Sequence, residues 1–231
     1  MAKREDLRIS RTNTIINVSS KKMENVLIKA LINVVENLQK SKPHLFAHEK
    51  TVYLTEIVKK LRKIYPNIDF TNHFHNTYLQ PDGGILYLVD KLGYKWPILI
   101  SEAKRQGTND IREEEGLGKQ SRGNAIERLG KNLIGFRMWL SAEEIFPFVA
   151  FGEGIDFDSE SSILDRVSTM AMFAPLNRLD LEVEQGIKHL NRGSFFFRVA
   201  PWKVAEVEKI CYEIACQSID YYLNKYGKDN F

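Results

Sequence analysis

The feature that most constrains this chain is the stretch from Gln80 to Gln106, QPDGGILYLVDKLGYKWPILISEAKRQ. Its apolar run from Ile85 to Val89 predicts a buried strand, and the Asp-Lys-Leu-Gly that follows has the chemistry of a turn. A second strand is predicted to return from Ile98 to Ala103, because Ile98 to Ser101 is a strand-like run. The stretch therefore predicts a β-hairpin.

Three charged side chains are expected to meet at one end of this hairpin. Glu102 and Lys104 are two positions apart in the second strand, so their side chains share a face, whereas Ala103 points to the other. Asp82 lies just before the first strand and therefore near the end of the second. Two carboxylates form a hard-oxygen site that suits Mg²⁺, and a lysine beside them is typical of phosphodiester hydrolysis. The alternative is a solvated ion pair at a strand end.

The composition predicts a folded protein of the cell interior. The 231 residues are 43% hydrophobic, which is enough to bury a full core, and the net charge of +3 is too small to indicate a partner by itself. The two cysteines, Cys211 and Cys216, are expected to pack and not to bond. No apolar run reaches membrane-spanning length, and the start has no signal-peptide pattern. We therefore expect a soluble, cytoplasmic protein.

Periodicity predicts that helices and strands interleave, which is typical of α/β proteins. The predicted helices are Lys22–Gln39, Thr51–Ile64, Asn124–Leu140, Ser162–Phe173 and Pro201–Gly227. Besides the hairpin, the predicted strands are Ile68–Phe74, Ile145–Gly152 and Phe195–Val199, and residues 177–192 are ambiguous. With no internal repeat, we expect a single domain over residues 1–231.

Several polar segments leave alternatives open. Residues 1–21 are basic and aperiodic, which predicts either a flexible arm or a DNA-contacting arm. Residues 106–123 are polar and punctuated by glycine, which predicts a mobile loop that orders when a ligand is bound. One face of the second helix is basic and is either solvated or in contact with phosphate: Lys59, Lys60, Arg62 and Lys63. Four histidines are expected to be ordinary polar residues and not metal ligands: His44, His48, His73 and His75.

Three segments carry a family resemblance. Residues 81–85, PDGGI, and 101–107, SEAKRQG, flank the hairpin, and residues 123–128, GNAIER, lie downstream. They resemble the catalytic hairpin and the AATT-reading segment of the PD-(D/E)xK restriction endonucleases of the EcoRI type. The likeness extends over residues 53–178. It implies a restriction-endonuclease-like α/β core, in which helices flank a central mixed β-sheet.

The resemblance also implies roles for individual residues. Asp82 and Glu102 would bind Mg²⁺, Lys104 would be the catalytic lysine, and loop 106–123 would contact DNA. The residues that it assigns to DNA binding are Arg122, Gly123, Asn124, Ala125, Glu127, Arg128 and Arg166. An asparagine can bond adenine N6 and N7 together, and a methyl group can pack on thymine, which suits this assignment. Asn124 and Glu127 also have the spacing of a helix capping box, and both interpretations can hold.

The function implied is that of a Type II restriction endonuclease, which hydrolyses double-stranded DNA at a palindrome with a central AATT. Arg166 lies where the family carries a guanine-reading arginine, but Thr169 stands where a second arginine is expected. Arg122 resembles the arrangement in MunI, which belongs to CAATTG recognition. CAATTG, GAATTC and AATT alone therefore remain open.

A palindromic site and one active site per chain imply a homodimer whose two-fold axis matches that of the DNA. Cleavage would leave 5′-phosphate ends with 5′ overhangs, and the host would need a companion adenine methyltransferase. Two other functions are weighed against this one. A repair or recombination nuclease with the same core would recognise DNA structure, and a catalytically silent DNA-binding protein would retain the fold alone.

Overall fold

We analysed a computed structural model of the chain, which describes residues 15–71, 74–105, 116, 124–154, 157, 166 and 192–231. The helices are α1 Ile15–Ser41, α2 Leu54–Ile64, α3 Asn124–Trp139 and α4 Val204–Tyr226, and a 3₁₀ turn, Lys228–Asn230, follows α4. The strands are β1 Leu45–Glu49, β2 Val52–Tyr53, β3 Tyr78–Leu79, β4 Gly84–Val89, β5 Lys95–Arg105, β6 Phe146–Glu153 and β7 Arg192–Arg198.

Five of these strands form one mixed sheet in the order β1-β4-β5-β6-β7. Strand β4 is antiparallel to both of its neighbours, β1 and β5. Strand β6 is parallel to both of its neighbours, β5 and β7. Strands β2 and β3 form a separate two-stranded ribbon. The predicted α/β class with a central mixed sheet is confirmed.

Helices cover both faces of the sheet, which explains why β4 and β6 are buried along their whole length. Helices α1 and α4 pack on one face, around Leu27, Leu99 and Ile214. Helices α2 and α3 pack on the other face, around Leu61, Ile100 and Phe136. The sheet is therefore the middle layer of three, and the hairpin β4–β5 lies at its centre.

The helix boundaries differ in part from the prediction. Helix α1 begins at Ile15, so residues 15–21 are helical, and residues 1–14 lie outside the described part of the chain. Helix α2 begins at Leu54 and not at Thr51, because Val52 and Tyr53 pair with β3 instead. Helix α4 begins at Val204, three residues after the proline expected to start it, and ends at Gly227, where φ is 89°.

The strand predictions were less accurate before the hairpin than within it. The strand predicted over Ile68–Phe74 is wrong for the residues described there. That segment packs on α2 as a loop, with Arg62 donating to the Phe70 carbonyl oxygen at 2.8 Å and the Tyr65 and Phe70 rings 6.4 Å apart. Strand β1 was not predicted, because its five residues are ordered by pairing with β4 and have no strong pattern of their own.

The remaining expectations concern three segments that follow the hairpin, the two cysteines and membrane-spanning helices. Most of loop 106–123 and of the predicted helix Ser162–Phe173 lies outside the described residues, as does segment 177–191. Cys211 and Cys216 are free thiols, as expected. No helix in the described ranges is long and apolar enough to cross a membrane.

Candidate active site

A tight turn leads into β4 and places Asp82 beside the end of β5. The amide of Gly83 donates to the Ser101 carbonyl oxygen at 2.9 Å, and the amide of Gly84 donates to the Pro81 carbonyl oxygen at 3.0 Å. Gly84 has a φ of 77°, which glycine adopts without strain. A Cβ on Gly83 would lie 2.1 Å from Ser101 Oγ, so the turn leaves no room for a side chain there.

The structure brings Asp82, Glu102 and Lys104 together. Lys104 Nζ donates to Glu102 Oε1 at 2.5 Å and to Asp82 Oδ2 at 3.0 Å. The two carboxylates are also tied to the backbone of the hairpin, because the Asp82 amide donates to Glu102 Oε2 at 3.1 Å and the Ala103 amide donates to Asp82 Oδ2 at 3.1 Å. One ammonium group therefore bridges two carboxylates that the hairpin holds in place.

Burial and charge shift the pKa values of this cluster. The side chain of Glu102 is only 2% exposed, and its pKa is raised because burial and the negative charge of Asp82 outweigh the attraction of Lys104. Burial by itself lowers the pKa of Lys104, but the carboxylates of Glu102 and Asp82 outweigh it, so the pKa of Lys104 is raised. Lys104 is therefore an ammonium at neutral pH.

A cleft of about 170 Å³ opens beside this cluster. Its walls include Asp82, Lys104 and Arg105 from the hairpin and Met23 and Glu24 from α1. The Lys104 side chain is 14% exposed and that of Asp82 is 29% exposed, so both can be reached from the cleft. A phosphate group at this cleft would be able to reach the Lys104 ammonium.

The donor chemistry of the cluster fits a hard divalent cation. Both carboxylates already converge on one positive group, the Lys104 ammonium, which shows that Asp82 and Glu102 can share a cation. Within the ranges that the structure describes, no three His, Cys, Asp or Glu side chains are grouped for metal binding. Mg²⁺ does not need a third one, because it keeps several waters and is commonly held by one or two carboxylates and substrate phosphates.

Comparison with known proteins assigns the chain to a family. The sequence profile described as restriction endonuclease EcoRI matches residues 10–163, which include the hairpin and the start of α3. This chain belongs to the EcoRI restriction endonuclease family. It is 35% identical over 148 residues to the Type II restriction enzyme EcoRI of Escherichia coli, a match that covers 58% of this chain and 53% of EcoRI. It is 26% identical over 241 residues to the Type II restriction enzyme RsrI of Cereibacter sphaeroides, covering 89% of this chain and 87% of RsrI.

The structure describes five of the seven residues expected to contact DNA. Asn124 and Ala125 begin α3, and Glu127, still in the first turn, and Arg128 directly after it are exposed. Arg166 is exposed and helical, at some distance along the chain from α3. Arg122 and Gly123 lie outside the described residues. The contribution of all seven residues to DNA binding stays a prediction.

Two residues that the structure places in the site were assigned no role there from the sequence. Asn132 of α3 contacts the cluster itself, because it donates to Glu102 Oε1 at 3.3 Å. His48, expected only to be an ordinary polar residue, contacts the turn before β4, where its Nε2 lies 2.9 Å from the Gly83 carbonyl oxygen. Asn132 lies next to the apolar stripe of α3. A polar residue at such a position is the one sequence signal that could have pointed to Asn132. No signal marked His48, because its position depends on the pairing of β1 with β4.

Proposed function

We propose that this chain is a Type II restriction endonuclease, which hydrolyses both strands of DNA at a palindrome with a central AATT. The observation that carries the proposal is the convergence of Asp82, Glu102 and Lys104 around one positive charge at the end of β5. Membership of the EcoRI family supports it. Because the match covers 53% of EcoRI, the activity of that whole enzyme is proposed for this chain and is not carried over as established.

Each residue of the cluster has a part in the proposed reaction. Asp82 and Glu102 would hold Mg²⁺. When bound there, the ion would offset the negative charge of the phosphate and make a water molecule easier to deprotonate. Lys104, held between the two carboxylates, donates hydrogen bonds to the attacking water or to a phosphate oxygen. Its positive charge also offsets the charge that develops on the phosphate during attack.

The first turn of α3 is the proposed reader of the inner AATT. Asn124 bonds adenine, Ala125 packs on thymine, and Glu127 and Arg128 supply an acceptor and a donor. The exposed positions of Glu127 and Arg128 support this assignment, and the amino end of a helix also favours the approach of phosphate. Arg122 or Arg166 reads an outer guanine if the site is longer than AATT.

The same proposal includes a homodimer and a companion enzyme. A palindrome presents two equivalent half-sites, so two chains related by a two-fold axis place one cluster on each strand. An adenine methyltransferase protects the host, because a methyl group on adenine N6 obstructs the contact of Asn124.

Digestion of plasmids of known sequence tests the proposed function. With Mg²⁺ we expect a fixed set of fragments whose ends lie at sites containing AATT, with 5′ phosphates, and no cutting in excess EDTA. Mapping the ends identifies the outer base pair. Selective cutting of DNA junctions without sequence preference would support the repair nuclease instead. Sequence-specific binding without cutting at any Mg²⁺ concentration would support the silent DNA-binding protein and would overturn the proposal.

A further inference from the structure

A second cavity, of about 710 Å³, lies at the opposite end of β5 from the candidate active site. Its walls come from α2, from the beginning of β5 and from the last residues of α3 and α4. Trp96 in this wall and Glu102 in the active cluster are six residues apart in an extended strand, a separation of about 20 Å. The side chains on which the inference rests are Lys59, Lys60, Lys63, Trp96, Trp139 and Tyr226.

The cavity has an excess of positive charge. Lys59, Lys60 and Lys63 lie within five consecutive residues of α2, and none of the three is in an ion pair among the residues described. Two acidic residues, Glu56 and Glu143, also line the wall. Glu143 is already engaged, because Lys225 lies 2.8 Å from it and the Tyr226 hydroxyl donates to it at 2.8 Å. The three lysines of α2 outnumber these carboxylates, so the cavity keeps positive charge that an anion can bind.

The Lys60 ammonium is the least favourably placed of these charges. It lies 4.8 Å from the centre of the Trp139 ring. Its pKa is lowered, because the loss of water around it outweighs the attraction of Glu143 and Glu56. A bound anion at this position would stabilise the charged form of Lys60 and would itself be stabilised.

Aromatic rings provide the rest of the wall. Trp96 and Tyr226 pack with their ring centres 4.3 Å apart, and Tyr94, which is 64% exposed, also lines the wall. Trp139, the last residue of α3, is only 4% exposed and has Lys60 over its ring. The indole nitrogen of Trp139 is buried and has no hydrogen-bond acceptor within the described ranges. Rings beside lysines suit a ligand that joins a heteroaromatic base to phosphates, since bases stack on aromatic side chains and phosphates bind to cations.

We propose that this cavity is a binding site for a nucleoside triphosphate, with the base against the aromatic wall and the phosphates at Lys59, Lys60 and Lys63. A volume of about 710 Å³ lies within the usual range of small-molecule sites. A bare polyphosphate would leave the aromatic wall uncovered, and an uncharged base would leave the lysines without a partner. The site is independent of the proposed cleavage reaction.

Titration calorimetry of the full chain with ATP tests the proposal. Excess EDTA is included so that no Mg²⁺ is present and the readout does not depend on DNA cleavage. We expect one ATP per chain, and weaker binding of tripolyphosphate and of adenosine, each by on the order of tenfold or more. The double variant Lys60→Gln, Lys63→Gln should weaken ATP binding by on the order of tenfold or more, because two charge-assisted contacts are lost.

Two control variants locate the binding. Lys209→Gln removes an exposed lysine of α4 outside the cavity and should leave ATP binding unchanged. Lys104→Ala should also bind ATP as the parent does, because the candidate active site is not involved. Circular dichroism checks that the variants are folded. No binding of ATP at millimolar concentration, equal binding of tripolyphosphate and ATP, or unchanged binding by the folded double variant would each overturn the proposal.

Discussion

At Lys104 one ammonium satisfies two carboxylates that the hairpin backbone holds in place. In Lys104→Ala this charge is lost while Asp82 and Glu102 keep their backbone contacts. We expect cleavage to fall by on the order of 10² to 10³ or more, the usual cost of removing one donor that stabilises a transition state. Specific DNA binding should remain, because the first turn of α3 is untouched.

Single-turnover cleavage and fluorescence anisotropy with an AATT-containing duplex measure the two effects separately. Lys91→Ala is the matched control, since Lys91 is an exposed lysine of the same hairpin at its far end. Cleavage by Lys104→Ala at the parental rate would remove this residue from the mechanism.

Gly83 is the second residue on which the cluster depends. A Cβ there would lie 2.1 Å from Ser101 Oγ and 2.7 Å from Leu31 Cδ1, so Gly83→Ala must shift these two buried side chains, the turn that carries Asp82, or both. We expect a loss of about 1–3 kcal/mol in the free energy of unfolding, as is typical of overpacking, together with slower cleavage. Urea unfolding and the cleavage assay measure these effects.

Gly93→Ala is the control for this substitution. Gly93 has a φ of 81° but nothing lies within 4 Å of its would-be Cβ, so the variant carries backbone strain without a clash. It should lose some stability and keep the parental cleavage rate per folded molecule. If both glycine variants cleave DNA equally well, the turn does not position Asp82.

At the scale of elements, helix α3 connects the proposed DNA-reading turn with the active cluster. Asn124 is in its first turn, and Asn132, two turns later, donates to Glu102 at 3.3 Å. Asn132→Ala should raise the Mg²⁺ concentration needed for half-maximal cleavage by on the order of tenfold, as is usual when a hydrogen bond to a metal ligand is lost. DNA binding in the absence of metal should not change.

Rates measured over a series of Mg²⁺ concentrations test this coupling. Ile134→Ala is the control, because Ile134 is 59% exposed on the same helix. A helix-wide effect would alter both variants, whereas a positioning role for Asn132 predicts a shifted Mg²⁺ dependence in Asn132→Ala alone. An unchanged Mg²⁺ dependence in that variant would contradict the role.

The start of α4 is a second element whose stability depends on charge. The Arg198 guanidinium donates to both carboxylate oxygens of Glu206, at 3.1 and 2.7 Å, and thereby holds the pKa of Glu206 below its ordinary value. A lowered pKa in the folded state stabilises the protein above the ordinary glutamate value of about 4.3, and this stabilisation is lost as the pH falls through the lowered pKa.

Glu206→Gln should therefore lose more stability at pH 7 than at pH 3, and its unfolding free energy should depend less on pH between those values. Urea unfolding at the two pH values measures the difference. Glu213→Gln on the same helix controls for the loss of a carboxylate away from Arg198. Equal destabilisation of Glu206→Gln at both pH values would show that the ion pair does not contribute.

At the scale of the whole molecule, the described residues of a chain contain one such cluster, so we predict that the proposed double-strand cut uses two chains. Mixed dimers of parental and Lys104→Ala chains should cut one strand only and convert a supercoiled plasmid with one site into a nicked circle. Gel electrophoresis of the products measures this outcome, with each homodimer as a control. Linear product from purified mixed dimers, at the rate of the parental dimer, would show that one cluster cuts both strands.

The local sequence was sufficient to predict the central hairpin and the α3 helix. Ile85 to Val89 is uniformly apolar, Ile98 to Ile100 in the returning strand is apolar too, and strong turn residues join the two strands, so short-range preferences and burial agree. The apolar stripe of α3 has helical spacing, and its members Leu129, Leu133 and Phe136 are fully buried. The meeting of Asp82, Glu102 and Lys104 follows from this hairpin, because the alternation of a strand decides which side chains share a face.

Tertiary structure alone decided the rest. Strand β1 forms by pairing with β4, His48 reaches Gly83 from that strand, and Asn132 reaches Glu102 from α3. The basic cavity needs four elements that are distant in the chain. Such contacts depend on how faces of different elements pack, and a side chain does not encode its distant neighbour in its own local pattern. The meeting of the three charged residues of the hairpin could therefore be predicted from the sequence. The residues from other elements that contact the hairpin could not.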